Sequence, residues 1–355
     1  MFQPSQKTIA LLEDIERRID SETEEDFSEQ WRRFLYDEFD GDIFCPHRKT
    51  LSKPGIEYPA IHINDAIEDY ELMIQSQLAS VSYALGNSSH TLGLWLGGYG
   101  TGLLSSVLGA EIFVVPRELN TAPTTRVLGS TDRIREMVDR GLPNLENGFG
   151  KRTFECGEYL AELLSKYPKI SKYVNVYHPD LQGPLDIAEL LWGPDMFYAM
   201  YDEPELVHAT LSLICETFTA FLRRWQTIFP CTSDINCYRL YHYRGTILLR
   251  CDSAMNLSPD MYEEFAAPYD GLLLKRFGGG AVHFCGRGDH YIEKLCNLPG
   301  LYGVNLSQPQ YNDMETIYRN TVDKGIKILM LPTQQPIIDK DRPGGFHHCM
   351  SGWWC

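Results

Sequence analysis

The feature that most constrains this fold is the alternation of short apolar runs with helical segments along the second half of the chain. Thr246 to Leu249 runs into Arg250, Cys251 and Asp252. A helix over 259–276 follows, with Ser258 as its cap and Pro259 in its first turn. Ala281 and Val282 then open into His283, Phe284, Cys285 and Gly286. After these come a helix over 289–296, a strand over 301–306, a helix over 311–324, a strand over 326–331 and a last strand-like run, Phe346 to Met350. Parallel strands need long crossovers, and helical crossovers pack over the sheet they connect.

Two closures satisfy that alternation, an open doubly wound sheet and an eight-stranded barrel. The glycine-rich stretch LGLWLGGYGTG at 92–102 lacks the spacing of a nucleotide-phosphate loop, which removes the main signature of the open sheet. Polar residues end at least four separated strands, and 355 residues exceed the roughly 250 of a typical barrel. The expected fold is therefore α/β, a (β/α)8 barrel with N-terminal helical additions. Residues 1–90 read as helices (7–19, 24–38 and 64–82) and a loop packed on the barrel. Residues 91–355 read as the barrel, and the whole forms one domain.

The chemistry concentrates at strand ends. Residues i and i+2 of a strand share a face, so His283 and Cys285 point the same way and offer an imidazole and a thiol to one metal ion. The competing reading is a buried pair in which a backbone carbonyl satisfies the imidazole and the thiol fills space. Asp252 ends its own strand as a pocket carboxylate that binds substrate or orients a metal-bound histidine. His178 and Asp180 follow a strand over 173–179, and His242 lies in the aromatic run CYRLYHYR. Arg250 is placed to take a substrate carboxylate. Asn305 and Gln308 are placed to read polar substrate atoms, and Tyr99 to stack on a ligand. In CPHRK at 45–49, Cys45, His47 and Arg48 read as solvent-facing or ion-paired, and Trp353 and Trp354 as a packing or subunit-contact feature.

Forty-eight acidic residues against 32 basic give a formal charge of -16, which argues against a nucleic-acid or anionic-membrane partner. No basic leader and no run of 18 apolar residues is present, so a cytoplasmic location is expected. The ten cysteines are scattered and read as reduced thiols with a few metal ligands among them.

Several segments resemble the uroporphyrinogen decarboxylase superfamily, which includes zinc-containing, corrinoid-dependent methyltransferases. These are LWLGGYGTG at 94–102, NVYHPDLQGPLDIAELLWG at 175–193, CDSAMNLSPDMYEEFAAPYDGLLLKRFGG at 251–279 and HFCG at 283–286. The resemblance spans about 90–335 and implies a single barrel with its pocket at the C-terminal ends of the strands. The true decarboxylases use an arginine-rich N-terminal string and an aspartate. CPHRK differs from that string, so the resemblance points to the methyltransferase branch. That branch implies zinc held by His283, Cys285 and a distant third cysteine. Cys349 is the expected third ligand, Cys251 the alternative, and Cys296 and Cys355 are remoter candidates. The family's closing strand and final helix are expected to be shortened or displaced.

The resemblance implies a small-molecule substrate, a methyl donor that is a corrinoid such as cobalamin, carried on a partner protein, or another small molecule, and a thiol acceptor; a homodimer is one expected subunit state, which the sequence leaves open. Asp252 and His178 would be catalytic. Two other functions fit the same residues. One is a metal-free decarboxylase-like lyase using Arg48, Arg250 and Asp252, and the other is a non-catalytic corrinoid-binding protein.

Overall fold

The computed structural model describes residues 3–331, 342 and 345–351. Cys355, Trp353 and Trp354 lie outside them. The chain forms two compact units, each assembled from separated segments.

The first unit comprises Met1–Glu24, Arg48–Leu181 and Ile187–Thr232 and is mainly helical. Helix Gln6–Arg18 starts at Ser5, whose hydroxyl accepts the Thr8 amide, and ends with Arg17 and Arg18 against the carbonyl end of the dipole. Leu11, Leu12 and Ile15 form its buried stripe. Helix Tyr70–Leu85 begins later than the expected 64, because Asp69 accepts the amides of Glu71 and Leu72 while Ile63–Ala66 forms a separate short turn.

Pro204–Ile228 packs on Gly150–Leu164 at Gly157, where a Cβ would stand 2.5 Å from the Trp225 ring. Among the described residues it is the one helix long and apolar enough to cross a membrane, and 67% of its apolar window is buried in the fold. Arg48 is buried in this unit, paired with Glu24 at 2.7 Å and donating to the Ala84 and Asn87 carbonyls at 3.0 and 2.7 Å. Four short strands complete the unit. β1 (Gly93–Leu94) pairs in parallel with β4 (Asn175–Val176), and β2 (Ile112–Phe113) pairs antiparallel with β3 (Thr124–Thr125).

The second unit comprises Glu25–His47, Gln182–Asp186 and Ser233–Cys355. β5 (Ile235–Tyr238) and β6 (Tyr241–Arg244) form an antiparallel hairpin closed by Arg239 at a positive φ of 50°. β7 (Ile247–Arg250), β8 (Gly280–Phe284), β9 (Leu301–Leu306), β10 (Lys327–Leu331) and β11 (Cys349–Ser351) form one parallel sheet in the order β11-β10-β9-β8-β7. Each neighbour is the next strand in sequence, as the β/α alternation predicts. The expected helix over 259–276 is split into Pro259–Phe265 and Ala267–Arg276, because Pro268 has no N–H to continue the ladder. Ser258 caps the first half as expected, accepting the Met261 amide at 3.2 Å.

The described residues thus form a mixed α/β fold with N-terminal helices and several small sheets, and no closed eight-stranded sheet runs through them. The reason is local. The run at 92–102 yields two strand residues before turning into a 3₁₀ turn at Gly97–Tyr99, and the aromatic run at 235–244 folds back on itself as a hairpin.

Register fixes what each face of the sheet carries. Val282, Val304 and Ile328 lie in one row, all fully buried, with Cys349 opposite Ile328. One residue further along, Arg250, His283 and Asn305 form the next row, on the other face and at the C-terminal edge. Eight of the ten cysteines carry no disulfide. Cys45 is disulfide-bonded, which corrects the reduced-thiol expectation for that residue.

Candidate metal centre

Three strand ends build the site. β8 delivers His283 and, just past its end, Cys285; the turn after β7 delivers Asp252; β9 delivers Asn305 and then Ser307. One ligand atom from each of Asp252, His283 and Cys285 lies within 4.8 Å of the others. Cys285 Sγ is 3.4 Å from His283 Nε2, and Asp252 Oδ1 is 3.6 Å from the same nitrogen. Tetrahedral zinc, with bonds of about 2.3 Å to sulfur and about 2.0 Å to nitrogen and oxygen, separates its donors by roughly 3.3–3.6 Å. The two measured separations fit that spacing.

Hydrogen bonds aim the donors. Asn305 Nδ2 donates to the Leu329 carbonyl at 2.6 Å, which turns its Oδ1 toward His283 Nδ1 at 2.5 Å. That oxygen can only accept, so the imidazole proton resides on Nδ1 and the Nε2 lone pair faces Cys285 and Asp252. Ser307 Oγ donates to Cys285 Sγ at 3.0 Å. Asp252 Oδ1 accepts the Cys285 amide at 2.6 Å. The Gly286 amide donates to Gln308 Oε1 at 2.6 Å, and Asn312 ties the following loop by accepting the Gly288 and Asp289 amides at 2.7 and 3.0 Å. Gly286 itself has φ 73°, and a Cβ there would meet Met255 Sδ at 2.8 Å. Both the positive φ and the close approach favour glycine at that turn.

The site is neither sealed nor bare. The His283 side chain is 13% exposed and that of Asp252 37%, which leaves room for an external group at a fourth position, as catalytic zinc sites have. Burial pushes the Cys285 thiol up; the Asp252 carboxylate adds to the rise, and the Ser307 hydroxyl and Arg250 oppose it. A cation at the three donors would reverse that balance by favouring the thiolate.

The other expected site residues divide clearly. Arg250 stands at the rim in the same row as His283, with its guanidinium 5.2 Å from the Tyr238 ring centroid. Asn305 and Gln308 both lie at the site, where they hydrogen-bond to His283 and to the Gly286 amide. Cys349 is not a ligand of this cluster: it lies in the Val304–Ile328 row, on the opposite face from His283, and the electrostatics of Tyr318 and Arg342 link it to the packing there. Cys251 is likewise on the reverse face, and Cys296 is buried in helix Ile292–Cys296.

His242 packs edge-on against Trp31 at 5.2 Å as part of an aromatic core with Phe34 and Phe44, so it is a packing residue. Tyr99 is fully buried, with its hydroxyl donating to the Arg152 carbonyl at 3.4 Å and its ring 5.3 Å from Phe149, which removes it from ligand stacking. His178 and Asp180 follow β4 in the first unit, both buried, with His178 Nδ1 2.7 Å from the Pro179 carbonyl. Ser307 and Asn312 had not been expected at the site. The i+2 relation of Ser307 to Asn305 places it on the same face and was the readable signal.

No protein-family model matches the chain, and no curated protein matches it significantly. Fold and site define its class instead: a mixed α/β protein with a small Asp/His/Cys cluster able to coordinate a metal ion at the C-terminal edge of a parallel sheet.

Proposed function

We propose that this chain is a zinc-dependent methyltransferase of the kind its resemblance implies, moving a methyl group between a corrinoid or small methyl donor and a thiol acceptor. The observation that carries the reading is the convergence of Cys285 Sγ, His283 Nε2 and Asp252 Oδ1 at zinc-like separations, with the imidazole locked by Asn305. Bound at these donors, zinc would supply the Lewis acidity that holds an incoming thiol as its thiolate near neutral pH. Asn305 keeps the His283 proton on Nδ1, and Ser307 supports sulfur as an acceptor. Arg250 at the rim holds the polar end of the substrate. The (β/α)8 barrel and a corrinoid-carrying partner belong to the same proposal, supported by five sequential parallel strands that carry the cluster at their C-terminal edge. The metal-free lyase reading is disfavoured by Arg48, whose guanidinium is taken up by Glu24 and two carbonyls.

Metal analysis of protein produced with zinc tests this directly: about one zinc per chain is expected, falling to background in Cys285→Ser with the circular dichroism unchanged. Cobalt replacement should give a thiolate-to-cobalt charge-transfer band in the wild type alone. A metal-free wild type with no such band sinks the proposal. A zinc-loaded protein that demethylates neither methylcobalamin nor a small methyl donor in the presence of thiols removes the methyl-transfer half.

A further inference from the structure

Asp252 is the least constrained of the three donors by its own strand, since it lies past the end of β7 and opens a 3₁₀ turn, Asp252–Asn256, that Cys251 does not cap with its side chain. The first amides of such a turn need acceptors. They find them in a residue 66 positions earlier. Asp186 Oδ2 accepts the Asp252 amide at 3.0 Å, and Asp186 Oδ1 accepts the Ser253 amide at 2.8 Å. Asp186 is 5% exposed and lies in the first turn of helix Pro184–Trp192.

The segment that carries Asp186 is itself pressed onto β7. The Gly183 amide donates to the Arg250 carbonyl at 3.0 Å, and a Cβ on Gly183 would stand 2.1 Å from that oxygen. A two-oxygen clamp on consecutive amides fixes the rotation of the turn as well as its position. The Asp252 side chain leaves that turn toward the Cys285 amide and His283 Nε2.

We propose that Asp186 is a positioning residue of the metal centre, a buried two-point clamp that aims Asp252 at the ion without touching it. The inference rests on the metal reading above. Asp186→Asn keeps the shape but replaces one acceptor by an amide donor facing an N–H, so the clamp loses one point and the turn is pushed off its place.

The test is cobalt titration of full-length wild type, Asp186→Asn, Asp252→Ala, the double variant and Asp270→Asn. Asp270 is an equally buried carboxyl that accepts neither the Asp252 nor the Ser253 amide, both of which Asp186 takes. Asp186→Asn should bind cobalt at least tenfold more weakly and show shifted d–d bands, with the thiolate charge-transfer band retained because Cys285 still binds. The double variant should bind no more weakly than Asp252→Ala, since the clamp acts only through Asp252. Asp270→Asn should bind as the wild type does. Wild-type affinity and bands in Asp186→Asn, or losses that add in the double variant, overturn the proposal. Wild type that binds no cobalt overturns the metal reading beneath it, a different result. If Asp186→Asn does not fold, Asp186→Ala removes both accepting oxygens without placing a donor against the two amides. The same weakening and the same retained thiolate band are then expected, and unchanged affinity again refutes the clamp.

Discussion

Replacing Asp270 by Asn should flatten the dependence of stability on pH. Asp270 is fully buried in helix Ala267–Arg276, with the Cys251 thiol beside its carboxyl only weakly offsetting that burial. Burial, and then the neighbouring Asp186 carboxylate, push its acid up to about 8, whereas an aspartate in the unfolded chain titrates near 3.9. Between these values the folded protein holds a proton that the unfolded chain has released. Stability therefore falls as pH rises through the window from about 4 to about 8, and the loss is complete above it. The slope for one such group is about 1.4 kcal/mol per pH unit, so roughly 3 kcal/mol separates pH 5 from pH 7.5. With an unfolding entropy of roughly 0.75 kcal/mol/K for a chain of this length, that amounts to about 4–5 °C in Tm.

Asparagine has nearly the shape of the protonated acid and does not titrate. The gap in Tm between Asp270→Asn and the wild type should therefore widen by that amount as pH is raised from 5 to 7.5, always in favour of the variant. Asp186 is also pushed up by burial and by Asp252, and because its carboxylate is one cause of the Asp270 shift, the gap includes the coupling between the two carboxyls. Thermal melts at half-unit pH steps measure the gap. Parallel curves for the two proteins would refute the assignment of a buried, protonated Asp270.

Two further outcomes follow from the hydrogen bonds described above. Asn305→Ala removes the acceptor that fixes the His283 tautomer and should weaken cobalt or zinc binding by about 10–100-fold. Equal affinity in Asn305→Ala and the wild type would count against the lock. Arg48→Ala leaves Glu24 buried without its cation and should cost about 3–5 kcal/mol, read as an earlier midpoint in urea. A change below 1 kcal/mol would show that Glu24 is satisfied by other means.

The sequence was most legible where one periodicity had one consequence. β7 to β10 fall where apolar runs of four to six residues stand between helical segments. The shared face of His283 and Cys285 followed from a period of two. The hairpin at 235–244 was not legible, because β-branched and aromatic residues announce a strand without announcing its partner, and the turn at Arg239 carries no glycine to mark it. Cys349 failed on parity: a difference of one residue in register decides which face a side chain takes, and nothing local to GGFHHCMSG sets that register. The third member of the candidate cluster is Asp252, which the sequence marks as a pocket carboxylate. Its clamp by Asp186 spans 66 residues and left no local signal.

The division of the cluster between two strands would make metal capture a clock for folding. His283 and Cys285 lie on one strand and its exit, but Asp252 reaches them only when β7 has docked beside β8 with Arg250 opposite His283. A slip of one residue in that pairing would shift Asp252 by about 3.3 Å along the strand direction, more than a metal–ligand bond of about 2.0–2.3 Å. During refolding in cobalt, the absorbance of the complete three-donor centre should therefore rise with the correct pairing of these two strands and stay dark for any out-of-register intermediate.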